Sequence, residues 1–199
     1  MTKAVFYFDF ASPNAYLSHR VIPDIEARTG AKFDYVPVLL GGLFKLTNNR
    51  SPMEAFGGIK NKLAYENLET QRFIKRHGLT AFRMNPHFPV NTLRLMRGAV
   101  AAQRLGVFDA YLEMGMTAMW EQGLKMDDPE VMAKAMADAG LDAAALMAAI
   151  EDPAVKQGLL DNTEAACAAG AFGIPSFLVD GELWFGKDRL RDVEEAIVG

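Results

Sequence analysis

The amino-acid sequence predicts an α/β protein whose small sheet is interrupted by a long helical segment. Residues 4–10 are apolar enough for a buried strand, residues 13–29 have the periodicity of an amphipathic helix, and residues 32–40 alternate like a second strand. A helical pattern then continues to about residue 152, and near the end two apolar runs flank the turn signal Asp180-Gly181. Strand–helix–strand, a helical block, and helix–hairpin–helix in this order indicate a thioredoxin-like domain with an inserted all-helical domain.

The change in composition at Gly41-Gly42 sets the expected domain limits. Residues 1–42 and 153–199 are assigned to the thioredoxin-like domain, and residues 43–152 to the helical insertion. Later helices are expected over roughly 61–77, 91–105, 107–122, 129–139, 142–151, 153–169 and 188–197. Their expected N-terminal caps are Asn91, Asp127 and Asp142, and their expected C-terminal stops are Gly106, Gly123 and Gly140.

Composition excludes several classes of function. The 199 residues are 50% hydrophobic and carry 21 basic against 25 acidic side chains, a net charge of −4, which argues against a nucleic-acid partner. Residues 1–4 lead straight into the first strand without a signal-peptide pattern, and no stretch has a membrane-spanning length. A single cysteine, Cys167, and three scattered histidines predict a cytoplasmic protein without an internal disulfide or a metal site.

Ser12 lies where the first strand runs directly into the first helix. Proline suits the first turn of a helix, so Pro13 places Ser12 at the N-cap. The free N–H groups and the dipole of such a turn favour an anion. Ser12 therefore either only caps the helix or holds the anion of a ligand.

Four stretches carry a family resemblance: FYFDFASPNAYL at residues 6–17, FPVNTL at 88–93, residues 163–177, and DGELWFGKDRL at 180–190. In these stretches the chain resembles the 2-hydroxychromene-2-carboxylate isomerase family. That family is related to the kappa-class glutathione transferases and shares the fold of the periplasmic disulfide oxidoreductases. The four stretches lie in the family's order and bracket almost the entire chain.

The resemblance implies a glutathione site on the thioredoxin-like domain. Ser12 would donate a hydrogen bond to the glutathione sulfur, and Ile174-Pro175 would be the family's cis-proline turn, whose backbone pairs with the peptide. Gly186, Lys187 and Asp188 would hold the γ-glutamyl end, Lys187 through its backbone. Without the resemblance, Ile174-Pro175 reads as an ordinary tight turn and Asp188 as a helix cap.

Asn49 and Lys62 fall at the family's Asn and Lys positions, where they would face the tripeptide or an acidic substrate. Asn48 is adjacent to Asn49, so the choice between the two asparagines stays open, and Lys62 could equally lie on a solvated face. The spacing around residues 56–59 departs from the family pattern.

The resemblance implies a homodimeric, glutathione-dependent isomerase that acts on an aromatic carboxylate. It would open the ring of a 2-hydroxychromene-2-carboxylate and isomerise the product to a benzylidenepyruvate, a step of aromatic hydrocarbon catabolism. A kappa-class transferase or peroxidase would use the same site, and a non-catalytic thioredoxin-fold binding module is the third possibility. A thiol–disulfide oxidoreductase is disfavoured, since position 12 is not cysteine and Cys167 has no partner.

Other residues allow two interpretations each. Asp9 either assists proton transfer near the thiol or makes a structural hydrogen bond, and Tyr16 either faces the site or packs. Cys167 is expected to be an inert buried thiol. Met114, Met116, Met119 and Trp120 have the spacing of core residues, although they could instead line an adaptable apolar pocket for an aryl ring.

Overall fold

A four-stranded mixed sheet forms the centre of the protein in the computed structural model, which describes residues 2–199. Its strands are β1 (Ala4–Phe8), β2 (Phe33–Pro37), β3 (Ser176–Val179) and β4 (Glu182–Phe185). They lie in the order β2-β1-β3-β4, with β1 parallel to β2 and antiparallel to β3. Every residue of β1 is buried, which explains its continuous apolar sequence.

Helices account for most of the remaining described chain. They are α1 (Pro13–Thr29), α2 (Leu40–Thr47), α3 (Pro52–Phe56), α4 (Lys62–His77), α5 (Leu93–Leu105), α6 (Phe108–Trp120), α7 (Pro129–Asp138), α8 (Ala143–Ala149), α9 (Pro153–Ala168) and α10 (Leu190–Val198). A 3-10 turn at Lys187–Arg189 precedes α10. The predicted helices are confirmed to within a few residues, and the β3–β4 hairpin turns at Asp180 and Gly181, both with positive φ.

Two predicted caps are wrong in detail, and two short helices were not predicted. Asp128, not Asp127, caps α7. Thr92 is the N-cap residue of α5, although the Asn91 side chain accepts the Leu93 N–H at the start of that helix. The sequence before α2 gave no start signal, because its N-cap residue is Leu39 and two glycines follow in its first turn. The domain limits at residues 42 and 152 stay a prediction.

The core joins the aromatic side chains of the sheet to the helical segment. Phe6 stacks on Phe177 at 5.2 Å between ring centroids, and the Phe10 ring lies against Gly115 of α6, where a Cβ would be only 2.5 Å from it. Four further side chains expected from their spacing to be core residues are buried: Met114, Met116, Met119 and Trp120. They fill the interior of the protein, so they do not line an open pocket.

A polar cluster fixes α1 against α6. The Arg20 guanidinium donates two 2.8 Å hydrogen bonds to the carboxylate of Glu113 and a 2.6 Å bond to Glu121. The Tyr16 hydroxyl also donates to Glu121, at 2.8 Å, so the buried Tyr16 side chain packs against the end of α6. Hydrogen bonds from His19 and Arg20 hold the pKa of Glu113 well below its usual range.

The segment from residue 44 to residue 72 differs from the rest of the chain. All of its residues are half-buried or exposed, although it contains α3 and most of α4. Large apolar side chains are exposed there, among them Met53, Ile59 and Tyr65. Among residues 2–199, no helix combines the length and the apolar character that a membrane crossing requires.

Candidate active site

Ser12 is the N-cap of α1 and also faces a second segment of the chain. Its Oγ accepts a 3.2 Å hydrogen bond from the Ala15 N–H and donates a 3.1 Å bond to the Ile174 carbonyl. The residue is only 5% exposed. The Ser12 hydroxyl therefore caps α1 and also binds the turn before β3.

The Ile174–Pro175 peptide bond is cis, and the turn around it is held on several sides. Ser176 Oγ donates to the Gly173 carbonyl at 2.8 Å, and the Gly186 N–H donates to the Pro175 carbonyl at 3.0 Å. These bonds fix the Ile174 carbonyl opposite Ser12.

Two backbone donors near Ser12 have no protein acceptor. Within residues 2–199, neither the N–H of Ile174 nor that of Asn14, in the first turn of α1, makes a hydrogen bond. An N–H of the first helical turn ordinarily has no intrahelical partner, but Ile174 lies outside any helix. The pair offers donors to an anionic or peptide ligand.

Gly186, Lys187 and Asp188 follow β4 and form the turn before α10. Gly186 has φ +95°, which favours glycine. The Lys187 ammonium is nearly buried, 5.2 Å above the Phe73 ring of α4, and donates to both carboxylate oxygens of Asp188 at 2.8 and 2.9 Å. The Asp188 side chain is 63% exposed, and the N-cap residue of the 3-10 turn is Gly186. The Lys187 side chain, as well as its backbone, is therefore part of this turn, because its ammonium group neutralises the charge of the Asp188 carboxylate.

The two asparagines have different environments. Asn49 Nδ2 donates a 2.8 Å hydrogen bond to the carbonyl of Phe172, two residues before Ile174. Asn48 is the C-cap residue of α2, with φ +54°. Asn49 thus connects the exposed segment to the turn that carries the cis-proline, whereas Asn48 ends a helix.

Lys62 begins α4 and is separate from the other candidate residues. Its ammonium pairs with Glu66 on the next turn and lies 5.2 Å from the Phe56 ring centroid. Across the described chain, no hydrogen bond or ion pair joins Lys62 to Ser12, Ile174 or Asp188. The structure therefore links Ser12, the cis-proline turn, Gly186 and Asn49, and leaves Lys62 on the exposed segment.

Asp9 lies in the turn before Ser12, and a second cis peptide bond, Phe88–Pro89, lies shortly before Thr92 in the chain. The Asp9 carboxylate is fully buried and accepts three hydrogen bonds, from the N–H groups of Ala11 and Leu40 and the hydroxyl of Thr92. Burial raises the pKa of Asp9, while the three hydrogen bonds act in the opposite direction. Sequence reasoning left the role of Asp9 open and missed Thr92, although the FPVNTL stretch contains it.

Cys167 is half-buried on α9 rather than buried as expected. Residues 2–199 contain no cluster of three or more His, Cys, Asp or Glu side chains that could hold a metal ion. Two surface cavities, of about 430 and 460 Å³, are lined by residues around Arg94 and Arg97 and by residues 106–110, and so lie apart from Ser12.

The model of the DsbA-like thioredoxin domain matches residues 4–198 of this chain. The chain belongs to that family. The match covers nearly the full length, so the α/β, thioredoxin-like fold with its helical insertion is confirmed. Because this member has serine at position 12 and a single cysteine, it lacks the cysteine pair that a dithiol oxidoreductase needs.

Curated relatives of this DsbA-like chain confirm the resemblance found in the sequence. The 2-hydroxychromene-2-carboxylate isomerase of Sphingobium xenophagum is 28% identical over 100% of both chains, and that of Pseudomonas putida is 26% identical over 96% of this chain and 92% of its own. The human glutathione S-transferase kappa 1 is 28% identical over 93% of this chain and 86% of its own.

Solved structures agree with this assignment. A structure of 2-hydroxychromene-2-carboxylate isomerase superposes with a TM-score of 0.81 at 26% identity, covering 98% of this chain and 93% of that one. A probable DsbA oxidoreductase from Streptomyces coelicolor has a TM-score of 0.77 at 19% identity, over 99% of this chain and 88% of that one, which is a likeness of fold.

Proposed function

We propose that this protein is a glutathione-dependent isomerase of the 2-hydroxychromene-2-carboxylate type. One observation carries the proposal: the Ser12 hydroxyl at the start of α1 is bonded to the carbonyl that precedes a cis-proline. The full-length similarity to isomerases of that name supports the reaction class. An N-terminal helical turn with a hydroxyl suits a thiolate, because its dipole and its N–H groups stabilise negative charge.

The residues around Ser12 fit a peptide thiol. The N–H groups of Ile174 and Asn14, which lack acceptors within residues 2–199, are available to it, and Ile174 would bind the peptide through its backbone. Gly186, Lys187 and Asp188 would receive the γ-glutamyl end, with the exposed carboxylate of Asp188 facing its ammonium group. When bound, glutathione supplies a nucleophilic thiolate.

Ser12 has a single hydroxyl proton, and it is donated to the Ile174 carbonyl. In the proposed complex, the hydroxyl turns and donates to the bound sulfur, while the Ala15 N–H continues to donate to Oγ. The Ile174 carbonyl then becomes free to accept an N–H from the peptide. Ser12 thus exchanges one partner for another without leaving its position as the helix cap.

Lys62 and Asn49 have different parts in this proposal. The Lys62 ammonium is partly exposed and would attract the carboxylate of an acidic substrate or of the tripeptide. Asn49 would act by holding the backbone at Phe172, close to the cis-proline turn.

A kappa-class transferase is the second candidate, favoured by the 28% identity with human glutathione S-transferase kappa 1. The two reactions differ in their use of glutathione. An isomerase regenerates it, so a trace amount sustains many turnovers, whereas a transferase consumes one molecule per product. Loss of chromene carboxylate absorbance with catalytic glutathione therefore separates the two.

The Ser12→Ala variant tests the assignment. An enzyme that loses one well-placed hydrogen-bond donor to a negative charge turns over about a hundredfold more slowly, or worse. We expect a loss of this size in Ser12→Ala. Ser18→Ala is the matched control, because Ser18 is a buried serine of the same helix whose Oγ has no hydrogen-bond partner among the described residues. Equal turnover of the two variants would remove Ser12 from the reaction.

A further inference from the structure

Three helices begin at the buried carboxylate of Asp9. Its Oδ1 accepts a 2.8 Å hydrogen bond from the Ala11 N–H, just before α1, and a 2.7 Å bond from the Thr92 hydroxyl at the start of α5. Its Oδ2 accepts a 2.7 Å bond from the Leu40 N–H, the first residue of α2. A carboxylate is favoured at a helix N-terminus, and here one carboxylate lies next to the starts of three helices and accepts a helix backbone N–H from α2.

The carboxylate takes the place of an ordinary side-chain cap on α2, whereas the first N–H of α5, that of Leu93, donates to Asn91 Oδ1. Leu39, the N-cap residue of α2, has no side chain that could cap it, and Thr92 makes no capping bond to α5. The Thr92 hydroxyl is directed at Asp9 instead. Asp9 therefore joins the start of the exposed segment and the start of α5 to the end of β1.

The turn that carries Ser12 is closed twice by Asp9. The Asp9 carbonyl accepts a 3.0 Å bond from the Ser12 N–H, and the Asp9 carboxylate accepts the Ala11 bond. The position of the Ser12 hydroxyl thus follows from the orientation of Asp9, which in turn depends on Leu40 and Thr92.

We propose that Asp9 is the positioning residue of the site: its carboxylate holds the turn at residues 9–12 so that the Ser12 hydroxyl faces a bound thiolate. The catalytic part of this inference rests on the proposed function. Asp9 does not itself meet the ligand, because it is 0% exposed and both of its carboxylate oxygens are engaged by three donors. Its effect on chemistry passes through Ser12.

Two substitutions disturb this arrangement in different ways. In Asp9→Asn, the amide N–H₂ must face a backbone N–H, that of Leu40 in one orientation and that of Ala11 in the other. Thr92→Val removes one donor and keeps the charge of Asp9. Thr92→Ser retains the hydroxyl and is the matched control.

The first measurement is amide hydrogen exchange of the intact chain at Ala11, Ser12 and Leu40, without any ligand. We expect exchange about tenfold faster in Asp9→Asn, about threefold faster in Thr92→Val, and unchanged in Thr92→Ser, in line with the loss of a buried hydrogen bond. Wild-type exchange in both Asp9→Asn and Thr92→Val would overturn the inference. If Asp9→Asn does not fold, the two Thr92 variants decide the matter.

The second measurement is the ultraviolet absorbance of the thiolate of added glutathione, titrated against pH in the presence of each variant. A misplaced Ser12 lowers the thiolate fraction at a fixed pH, about threefold, whereas loss of a neighbouring negative charge alone would increase it. We expect the thiolate fraction to be lower than in the wild type for Asp9→Asn and Thr92→Val, and equal to the wild type for Thr92→Ser. A higher fraction in Asp9→Asn, or an unchanged one in Thr92→Val, contradicts positioning. If the wild-type chain yields no bound thiolate, the proposed function fails, and hydrogen exchange still decides whether Asp9 holds the turn.

Discussion

The two regions that carry the candidate site residues are built in opposite ways. Around Ser12, buried backbone and side-chain groups are fixed by hydrogen bonds that join the turn after β1, the turn before β3 and the starts of three helices. From residue 44 to residue 72, which includes Asn49 and Lys62, all residues are half-buried or exposed. The groups around Ser12 are already held in place without a ligand, whereas the segment from residue 44 to residue 72 exposes charged and apolar side chains.

This contrast separates two tasks of a binding site. A fixed hydroxyl and fixed backbone donors suit a constant group such as a peptide thiol, because they lose little conformational entropy on binding. Exposed side chains can adjust to a variable second substrate. The contrast can be tested by making matched changes in the two regions.

The largest effect is expected from glycine substitutions. A Cβ at Gly115 of α6 would lie only 2.5 Å from the ring of Phe10, which belongs to the turn before Ser12. This overpacking should make Gly115→Ala about 2 kcal/mol less stable in thermal unfolding. Gly58→Ala in the exposed segment meets no atom within 4 Å, so a change within about 0.5 kcal/mol is expected. Similar losses for both variants would abolish the contrast.

A smaller effect is expected where the two regions meet. Asn49→Ala removes the hydrogen bond to the Phe172 carbonyl and should reduce the free energy of unfolding by about 1 kcal/mol, measured in urea. Asn48→Gly removes the neighbouring amide while keeping the left-handed backbone, and should change stability by less than about 0.5 kcal/mol. If Asn49→Ala loses no more stability than Asn48→Gly, Asn49 does not tie the exposed segment to the cis-proline turn.

The third effect, no larger than the second, concerns stability in acid. The pKa of Glu113 is lowered in the folded protein, so its contribution is present above the unfolded pKa of about 4.3 and disappears as pH falls below that value. The side chain is 53% exposed, so Glu113→Gln should cost only about 1 kcal/mol at neutral pH, with the difference vanishing in acid. Glu66→Gln, in a surface pair with Lys62, should cost less than about 0.5 kcal/mol in unfolding measured across the same pH range. A difference from wild type that persists in acid for Glu113→Gln would contradict the ion-pair explanation.

Local signals in the sequence were sufficient for much of the fold. α1 begins at Pro13 and ends at Thr29 as predicted, and Asp180-Gly181 forms the predicted hairpin turn. These features depend on neighbouring residues. The start of α2 could not be predicted in this way, since its N–H donor is satisfied by Asp9, 31 positions away along the chain.

The candidate site was predictable to a similar degree. Ser12 as an N-cap follows from Pro13, but its second bond, to Ile174, joins residues 162 positions apart. Lys187 pairs with its neighbour Asp188, but its ammonium group is also covered by Phe73 of α4, which is distant in the sequence. Contacts between distant segments, rather than residue types, separate a capping serine from a candidate catalytic one.

In the proposed complex with glutathione, the bond between Ser12 and the Ile174 carbonyl has a consequence for selectivity among thiols. A ligand sulfur that accepts the hydrogen bond from the Ser12 hydroxyl leaves the Ile174 carbonyl without a donor. An unpaired buried acceptor costs about 1–3 kcal/mol. A peptide thiol can offset this cost, because one of its own N–H groups can donate to the Ile174 carbonyl. A small thiol such as 2-mercaptoethanol has no amide N–H to donate. If glutathione binds as proposed, the resting hydrogen bond would favour thiols that carry a peptide over small thiols.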